Sequence, residues 1–331
     1  MGKPFWILAL SGGGYRGLYT ATVLAEMQRR ASEPLASKFD LIAGTSVGSM
    51  LAAALAKGVD AQRLPELFTT HGRDIFRTKL GWWPVSMLNL GLWGPRYSNR
   101  GLIETLQQEE LLGEAAFQQL QHRLMIPALN LTQGKTRIFK TQHHPDYTTD
   151  GRVRLLDAVM ASAAAPVFFP IYEFDNRRYA DGGLVANSPA LIAVHEAETK
   201  LGVDPSDIHL MMIGTRSTYH TDDSKAPLQR GIFGAHGWRF WKGWKANLIE
   251  STLSAQELLH QDMLRHKIEA RLLHIDTSIK PSEHSALGLD KYSKHANGPL
   301  AGAALSEMQS ISTKPLFRQW LSHTADTPNF F

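Results

Sequence analysis

A single serine stands between two glycines in the stretch Gly44-Thr45-Ser46-Val47-Gly48. A serine hydroxyl becomes a nucleophile when a base takes its proton and N–H groups stabilise the oxyanion that its attack creates. The pattern G-x-S-x-G between a strand and a helix forms a tight turn, a nucleophile elbow, that aims the hydroxyl outward beside the helix N-terminus. An ordinary turn in which Ser46 caps the helix fits the same pattern, so both interpretations stay open at this point.

A glycine-rich segment, Ser11-Gly12-Gly13-Gly14-Tyr15-Arg16-Gly17, comes earlier in the chain. Consecutive glycines expose backbone N–H groups without side chains in the way, which suits an anion, and Arg16 adds a positive charge. The segment also matches the dinucleotide pattern G-x-G-x-x-G, which requires an acidic residue at the end of the second strand. Asp40 instead opens the second strand, which runs into Gly44 and Ser46, so dinucleotide binding is the less favoured interpretation.

A third motif, Asp181-Gly182-Gly183, follows the strand of a predicted hairpin. An Asp-Gly pair is common in plain turns, so this motif alone has a structural interpretation as well. The segment Ala161–Pro166 (ASAAAP) precedes it, and Asn187 and Pro189 follow it.

Alternating strands and helices must position these motifs. Apolar runs predict strands at Phe5–Leu10 and Phe39–Ala43, each followed by a helix, at Thr20–Ala31 and at Val47–Lys57 with Gly58 as its C-cap. Two such units in under 60 residues indicate parallel strands with helical crossovers. Further predicted strands lie at 123–131, 137–141, 208–213 and 271–275, a hairpin at 172–179, and helices at 100–112, 155–164, 189–201, 255–267 and 300–310.

The composition is that of a globular protein. The 331 residues are 43% hydrophobic and 20% charged and include no cysteine, which excludes disulfides and cysteine-based metal sites and fits a reducing cytosol. A net charge of +4 favours contact with an anionic membrane but is too weak to indicate nucleic-acid binding. No signal peptide or membrane-spanning segment is visible, so we expect a cytoplasmic protein that can contact a membrane peripherally.

Together these motifs resemble those of the patatin-like phospholipases: a G-G-G-x-R-G loop after the first strand, a G-x-S-x-G elbow, an A-S-A-A-P-like helix end and a D-G-G motif followed by N-x-P. All four occur in order between Gly12 and Pro189. The resemblance implies an α/β fold, a three-layer α/β/α sandwich with a mainly parallel central sheet. We expect one domain over residues 1–331, with the motifs within 5–200 and residues 205–331 completing the fold and carrying any regulatory elements.

The resemblance also implies the roles of the site residues. Ser46 would be the nucleophile and Asp181 its general base, with no metal, cofactor or catalytic histidine. The other implied site residues are the oxyanion loop (Gly12, Gly13, Gly14, Arg16, Gly17), the elbow (Gly44, Thr45, Val47, Gly48) and the D-G-G glycines (Gly182, Gly183). The expected reaction is hydrolysis of the fatty-acyl esters of membrane phospholipids at sn-1, sn-2 or both. An esterase with a catalytic histidine is the alternative mechanism.

A narrower resemblance is to bacterial patatin-like antiphage effectors, which a cyclic di- or oligonucleotide activates to degrade the cell's own membrane. It is carried by the compact length, the segment Tyr97-Ser98-Asn99 and the C-terminal region. Under this hypothesis the basic and aromatic residues near 216–245 are candidates for nucleotide binding. The tryptophans near residues 82–93 and 238–244 suit either a membrane interface or a core. A constitutive housekeeping lipase is the competing interpretation.

Overall fold

The structure is a computed structural model that describes residues 2–76, 95–216, 237–279, 283, 287, 288, 292 and 294–331, with only the backbone described for 237–250 and 294. The tryptophan-rich segment 82–93 lies outside the described residues, as do residues 217–236 of the region 216–245 that the narrower resemblance singles out for nucleotide binding. The backbone of Trp238–Lys245, where tryptophans and cations are mixed, lies in a helix.

Eight strands of the described chain form one mixed sheet. The strands are β1 (Phe5–Leu10), β2 (Leu41–Gly44), β3 (Leu124–Asn130), β4 (Lys135–Lys140), β5 (Tyr172–Phe174), β6 (Arg177–Ala180), β7 (Ile208–Ile213) and β8 (Leu272–Ile275). β3, β2, β1, β7 and β8 are adjacent in that order and parallel, whereas β4 and the hairpin β5–β6 join β3 as antiparallel additions. The predicted mainly parallel sheet is confirmed.

Eleven α-helices connect and cover these strands in the described residues. They are α1 (Gly17–Arg30), α2 (Val47–Lys57), α3 (Leu64–Thr69), α4 (Gly72–Ile75), α5 (Arg100–Leu106), α6 (Leu155–Ser162), α7 (Gly183–Ala186), α8 (Ala190–Thr199), α9 (Gly237–Ile268), α10 (Lys294–Ile311) and α11 (Pro315–Ser322).

The sheet carries a hydrophobic cluster on each face. Successive side chains of a strand point to opposite faces, so Trp6 and Leu8 of β1 belong to one cluster and Ile7 and Ala9 to the other. The first cluster includes residues of α1, α2, α6, α10 and α11, and the second includes residues of α8 and α9. Both faces of β1 are therefore covered, and every residue of this strand after Phe5 is buried, which explains why its sequence is a continuous apolar run. The predicted three-layer arrangement is confirmed.

The carboxyl ends of the parallel strands meet at one edge of the sheet, where ligands bind in open α/β folds. The glycine-rich loop follows β1 at this edge, Ser46 lies just beyond β2, Thr215 follows β7, and Asp276 follows β8. The fold thus brings segments from four distant parts of the chain to one place.

Candidate active site

Ser46 and Asp181 are in direct contact at this edge. The Ser46 hydroxyl donates a hydrogen bond to Asp181 Oδ2 at 2.9 Å, across 135 positions of sequence. Ser46 has a backbone φ of 52° and ψ of −123°, a conformation that non-glycine residues rarely adopt and that active sites use to aim a nucleophile. Both residues line one cavity. The two residues that the sequence singles out for catalysis therefore form a hydrogen-bonded pair.

The glycines of the elbow are required by close backbone approach. A Cβ on Gly44 would lie 2.2 Å from the Gly48 carbonyl oxygen, and a Cβ on Gly48 would lie 2.2 Å from the Leu10 carbonyl oxygen. Between them, the Thr45 hydroxyl donates to the Ala186 carbonyl at 2.8 Å. A Cβ on Gly17 would lie 2.4 Å from Val47 Cγ2, so the Val47 side chain packs directly against this glycine. β2, α1 and α2 therefore converge at the elbow.

Asp181 follows β6 and is only 7% exposed. Burial raises the pKa of Asp181 from its usual value near 3.8 to about 6, against the opposing effect of hydrogen bonds from the Gly183 N–H and the Ser46 hydroxyl. The Gly183 N–H donates to Asp181 Oδ1 at 2.5 Å, which leaves Oδ2 for the serine. A carboxylate whose pKa lies near the working pH is suited to accept and return a proton.

Ser162 joins the elbow to the D-G-G motif. Its hydroxyl oxygen accepts a hydrogen bond from the Ser46 N–H at 3.0 Å, and its carbonyl accepts one from the Gly182 N–H at 2.9 Å. A Cβ on Gly182 would lie 2.1 Å from the Pro127 carbonyl oxygen and 2.8 Å from Ser162 Oγ, so no larger residue fits. The ASAAAP segment therefore fixes the distance between nucleophile and base.

The glycine-rich loop lies beside Ser46, where Gly12, Gly13, Gly14 and Arg16 line the cavity. The Gly12 N–H donates to the Asn187 carbonyl at 2.9 Å, which anchors the loop. Among the described residues, the N–H groups of Gly13 and Gly14 have no hydrogen-bond partner. Gly14 has a φ of 57°, which glycine adopts without strain. These two amides are the candidates for oxyanion donors.

Asp40 does not meet the requirement of the dinucleotide pattern. Its carboxylate accepts hydrogen bonds from the Trp6 N–H and from His323 Nε2, each at 2.8 Å, near the amino ends of β1 and β2. The glycine-rich loop lies at the opposite end of these strands. The acidic group is therefore misplaced for a ribose.

Histidines do not contribute to the cavity in the described part of the chain. Three of the described histidines pair with carboxylates elsewhere: His143 with Glu196, His144 with Asp146, and His323 with Asp40. The carboxylate that contacts Ser46 does so directly, without an imidazole between them. This geometry favours the dyad over the alternative with a catalytic histidine.

A match to known proteins agrees with this geometry. The family model for patatin-like phospholipases matches residues 8–194, more than half of the chain. The chain belongs to the patatin-like phospholipase family. Membership makes this protein a phospholipase of the hydrolase class.

Several proteins similar to this patatin-like chain are named for the nucleotide that activates them. A "cGAMP-activated phospholipase" of Pseudomonas aeruginosa is 37% identical over 99% of this chain and 95% of its own length. A protein of the same name in Escherichia coli is 35% identical over 96% of this chain and 92% of its own length. A "cUMP-AMP-activated phospholipase" of Escherichia coli is 30% identical over 63% of each chain.

Two residues of α9, Gln256 and Glu257, complete this patatin-like site, and no sequence motif indicated them. Glu257 lines the cavity and accepts hydrogen bonds from the Ser11 hydroxyl at 2.7 Å and from Asn187 Nδ2 at 2.8 Å. Gln256 accepts from the Asn187 N–H at 2.8 Å and donates to the Val185 carbonyl at 2.6 Å. Together they connect α9 to the glycine-rich loop and to the segment after Asp181.

Two substitutions of Glu257 are expected to show whether the hydrogen bonds of this residue or its negative charge support catalysis. Glu257→Ala removes both hydrogen bonds and should lower kcat by about 10- to 100-fold, since an unmade buried hydrogen bond costs about 1–3 kcal/mol. Glu257→Gln keeps an acceptor for Asn187 and a polar partner for Ser11, so its kcat should stay within about threefold of wild type. Leu259→Ala, on the exposed side of α9, is the control. Equal losses in both Glu257 variants would instead indicate that the carboxylate charge is required.

Proposed function

We propose that Ser46 and Asp181 hydrolyse the acyl esters of membrane phospholipids, and that a cyclic dinucleotide activates this reaction. The hydrogen bond of 2.9 Å between Ser46 Oγ and Asp181 Oδ2, inside a largely apolar cavity, carries the hydrolytic part of the proposal. The near full-length similarity to phospholipases named for activation by cGAMP supports the regulatory part.

The reaction follows from the positions of the groups. Asp181 takes the Ser46 proton as Oγ attacks the acyl carbonyl carbon, and the carbonyl oxygen becomes an oxyanion that the N–H groups of Gly13 and Gly14 stabilise. The ester C–O bond breaks as Asp181 returns the proton to the departing alcohol, which leaves an acyl-serine. Water then attacks this ester while Asp181 accepts its proton, and the fatty acid leaves as the proton returns to Ser46 Oγ.

The lining of the cavity fits a fatty-acyl chain. Most of its wall is apolar, and the polar groups cluster at the dyad and the glycine-rich loop, as expected for a site that binds a chain and orients one ester. The apolar wall is formed by side chains of several helices and of the segment after α6: Val47, Met50, Phe68, Ile75, Phe76, Leu102, Val159, Pro166, Phe168, Phe169, Leu184 and Leu253.

Exposed apolar side chains near the cavity support peripheral contact with a bilayer. Leu184, which lines the cavity, is 40% exposed, and Ile171, two residues after the cavity-lining Phe169, is 53% exposed. A net positive charge adds attraction to anionic lipids. No helix in the described part of the chain is long and apolar enough to cross a membrane. Activation by a cyclic dinucleotide would make such a phospholipase an antiphage effector that degrades the membrane of its own cell.

Fatty-acid release from phospholipid vesicles, measured with and without cGAMP, tests this proposal. We expect release by the wild-type protein to rise at least about tenfold with cGAMP, and Ser46→Ala to release nothing in either condition. Equal release with and without cGAMP or cUMP-AMP would contradict the regulatory part and favour a constitutive lipase. Absence of release from vesicles together with rapid hydrolysis of short soluble esters would contradict the phospholipid substrate.

A further inference from the structure

A second cavity, of about 400 Å³, lies along the same edge of the sheet, beyond β7 and β8. This volume is within the range of small-molecule sites, and the carboxyl ends of parallel strands are where ligands bind in such folds. One wall comes from the strand ends and the segment after them, and the other from one side of α10. The lining residues are Arg216, Thr277, Ser278, Glu283, Pro299, Gly302, Ala303, Ser306 and Glu307.

Arg216 is the unusual residue of this cavity. It is only 3% exposed, and its φ of 67° places a non-glycine residue in the left-handed region. Its Nη2 donates to Glu283 Oε2 at 2.9 Å and to the Ser278 carbonyl at 3.3 Å, while Nε and Nη1 are buried without a hydrogen-bond partner among the described residues. A strained backbone and unmatched donors on a buried cation are typical of functional sites.

The chemistry of the other lining groups suits a nucleotide. A guanidinium is well matched to phosphate oxygens, and the hydroxyls of Thr277, Ser278 and Ser306 can bond to phosphate or sugar. The carboxylates of Glu283 and Glu307 can accept from base amino groups and sugar hydroxyls.

Arg216 directly follows Thr215, which contacts the glycine-rich loop. The side chain of Thr215 lines the active-site cavity, and its hydroxyl donates to the Gly12 carbonyl at 3.0 Å. A Cβ on Gly13 would lie 2.0 Å from Thr215 Oγ1, so the loop packs directly on this threonine. A change of backbone at Arg216 would therefore move the support of the proposed oxyanion donors.

Asp276 provides a second connection between the two cavities. Its Oδ1 accepts a hydrogen bond from the Arg216 N–H at 2.8 Å. Burial and the nearby Asp276 carboxylate both raise the pKa of Glu257, the residue that contacts Ser11 and Asn187 in the active site. Asp276 thus lies between Arg216 of the second cavity and Glu257 of the active site, and interacts with both.

We propose that the second cavity binds the cyclic dinucleotide activator, with a ligand phosphate replacing Glu283 as the partner of Arg216. The exchange alters the backbone at Thr215–Arg216 and, through Thr215, the position of the glycine-rich loop. This inference rests on the proposed nucleotide activation and adds to it the place where the activator binds.

Two glycines of α10 allow a matched test. A Cβ on either Gly298 or Gly302 would meet no atom within 4 Å, but only Gly302 lines the cavity. Leucine is a better helix former than glycine, so both substitutions should be tolerated by the helix. We expect Gly302→Leu to fill the cavity and raise the cGAMP concentration for half-maximal activation, and the Kd by calorimetry, by about tenfold or more. Gly298→Leu should leave both values unchanged.

Glu283→Gln tests the exchange of partners. The substitution removes the charge of Glu283, which competes with the ligand phosphate for Arg216. Half-maximal activation should therefore need about two- to fivefold less cGAMP than in wild type. A requirement for more cGAMP would overturn the exchange. Activation of Gly302→Leu at wild-type cGAMP concentrations would overturn the site while leaving nucleotide activation intact. Failure of the wild-type protein to bind or respond to cGAMP and cUMP-AMP would overturn both.

Discussion

Ser46→Ala is expected to lower phospholipid hydrolysis by about 10⁴-fold or more, to the limit of detection. The substitution removes the only hydroxyl that contacts Asp181 Oδ2 in the described structure. The oxyanion donors and the acyl cavity remain, but they have no nucleophile to act with. Substrate binding should persist, so the vesicle affinity of the variant should match that of wild type while kcat is lost.

Ser188→Ala is a suitable control for this loss. Ser188 is fully buried near the site, and its hydroxyl has no hydrogen-bond partner among the described residues. Replacing it should leave kcat within about threefold of wild type, since removing an unpaired hydroxyl from the interior costs little. Activity that survives Ser46→Ala would exclude Ser46 as the nucleophile.

Asp181→Asn is expected to lower kcat by about 10³- to 10⁴-fold, because an amide of the same shape cannot take the Ser46 proton. In wild type the base must be ionised, and burial raises the pKa of Asp181 to about 6. The rate should therefore rise with pH through a limb near pH 6 and level off above it. The remaining activity of Asp181→Asn should lack this limb. If the rate of Asp181→Asn still rose with pH near pH 6, the titrating group would be a residue other than Asp181.

The same substitution is expected to stabilise the folded protein above pH 6. The folded state holds the proton of Asp181 more tightly than the unfolded state, whose pKa is near 3.8, so stability falls as pH rises through this interval. Above pH 6 the destabilisation amounts to about 3 kcal/mol, and an uncharged asparagine avoids it. Urea unfolding should show Asp181→Asn to be more stable than wild type at pH 8 and no more stable at pH 4. A stability difference between the two proteins that does not change with pH would contradict the raised pKa of Asp181.

Much of the sheet and the dyad could be predicted from local sequence. β1, β7 and α2 begin and end at the predicted residues, because continuous apolar runs bounded by glycine or turn residues, and an alanine-rich run closed by Gly58, leave few alternatives. Gly58 adopts a φ of 96°, as the predicted C-cap requires. The predicted hairpin at 172–179 is also confirmed, and it turns at Asp175 and Asn176, whose φ values are 51° and 53°.

Other elements differ from the predictions because tertiary contacts override local propensity. α9 begins at Gly237, whereas the sequence predicts a helix only from Ala255, since Gly243, Ser251 and Thr252 are weak helix formers. Packing of its Leu253–Glu257 turn on the active site offsets this weakness. α5 ends at Leu106, short of the predicted Leu112, because Gly113 with a φ of 53° and the preceding turns bring the buried Leu112 back to the core.

The supporting contacts of the site could not be predicted, because they join residues far apart in the chain. Glu257 lies 246 positions from Ser11 and 70 from Asn187, and nothing in the sequence around Glu257 distinguishes it from other helix carboxylates. Arg216 follows the predicted β7, but only the structure reveals its left-handed backbone, its buried guanidinium and the cavity beside it.

The most direct test of the Ser46–Asp181 dyad is to identify the residue that a fluorophosphonate probe labels. Such a probe forms a covalent bond with an activated serine, and mass spectrometry of the digested protein locates it. We expect one adduct, on the peptide that contains Ser46, with labelling strongly slowed in Asp181→Asn and promoted by cGAMP in wild type. An adduct on any other residue, or labelling of Ser46 at the same rate without Asp181, would contradict the Ser46–Asp181 dyad.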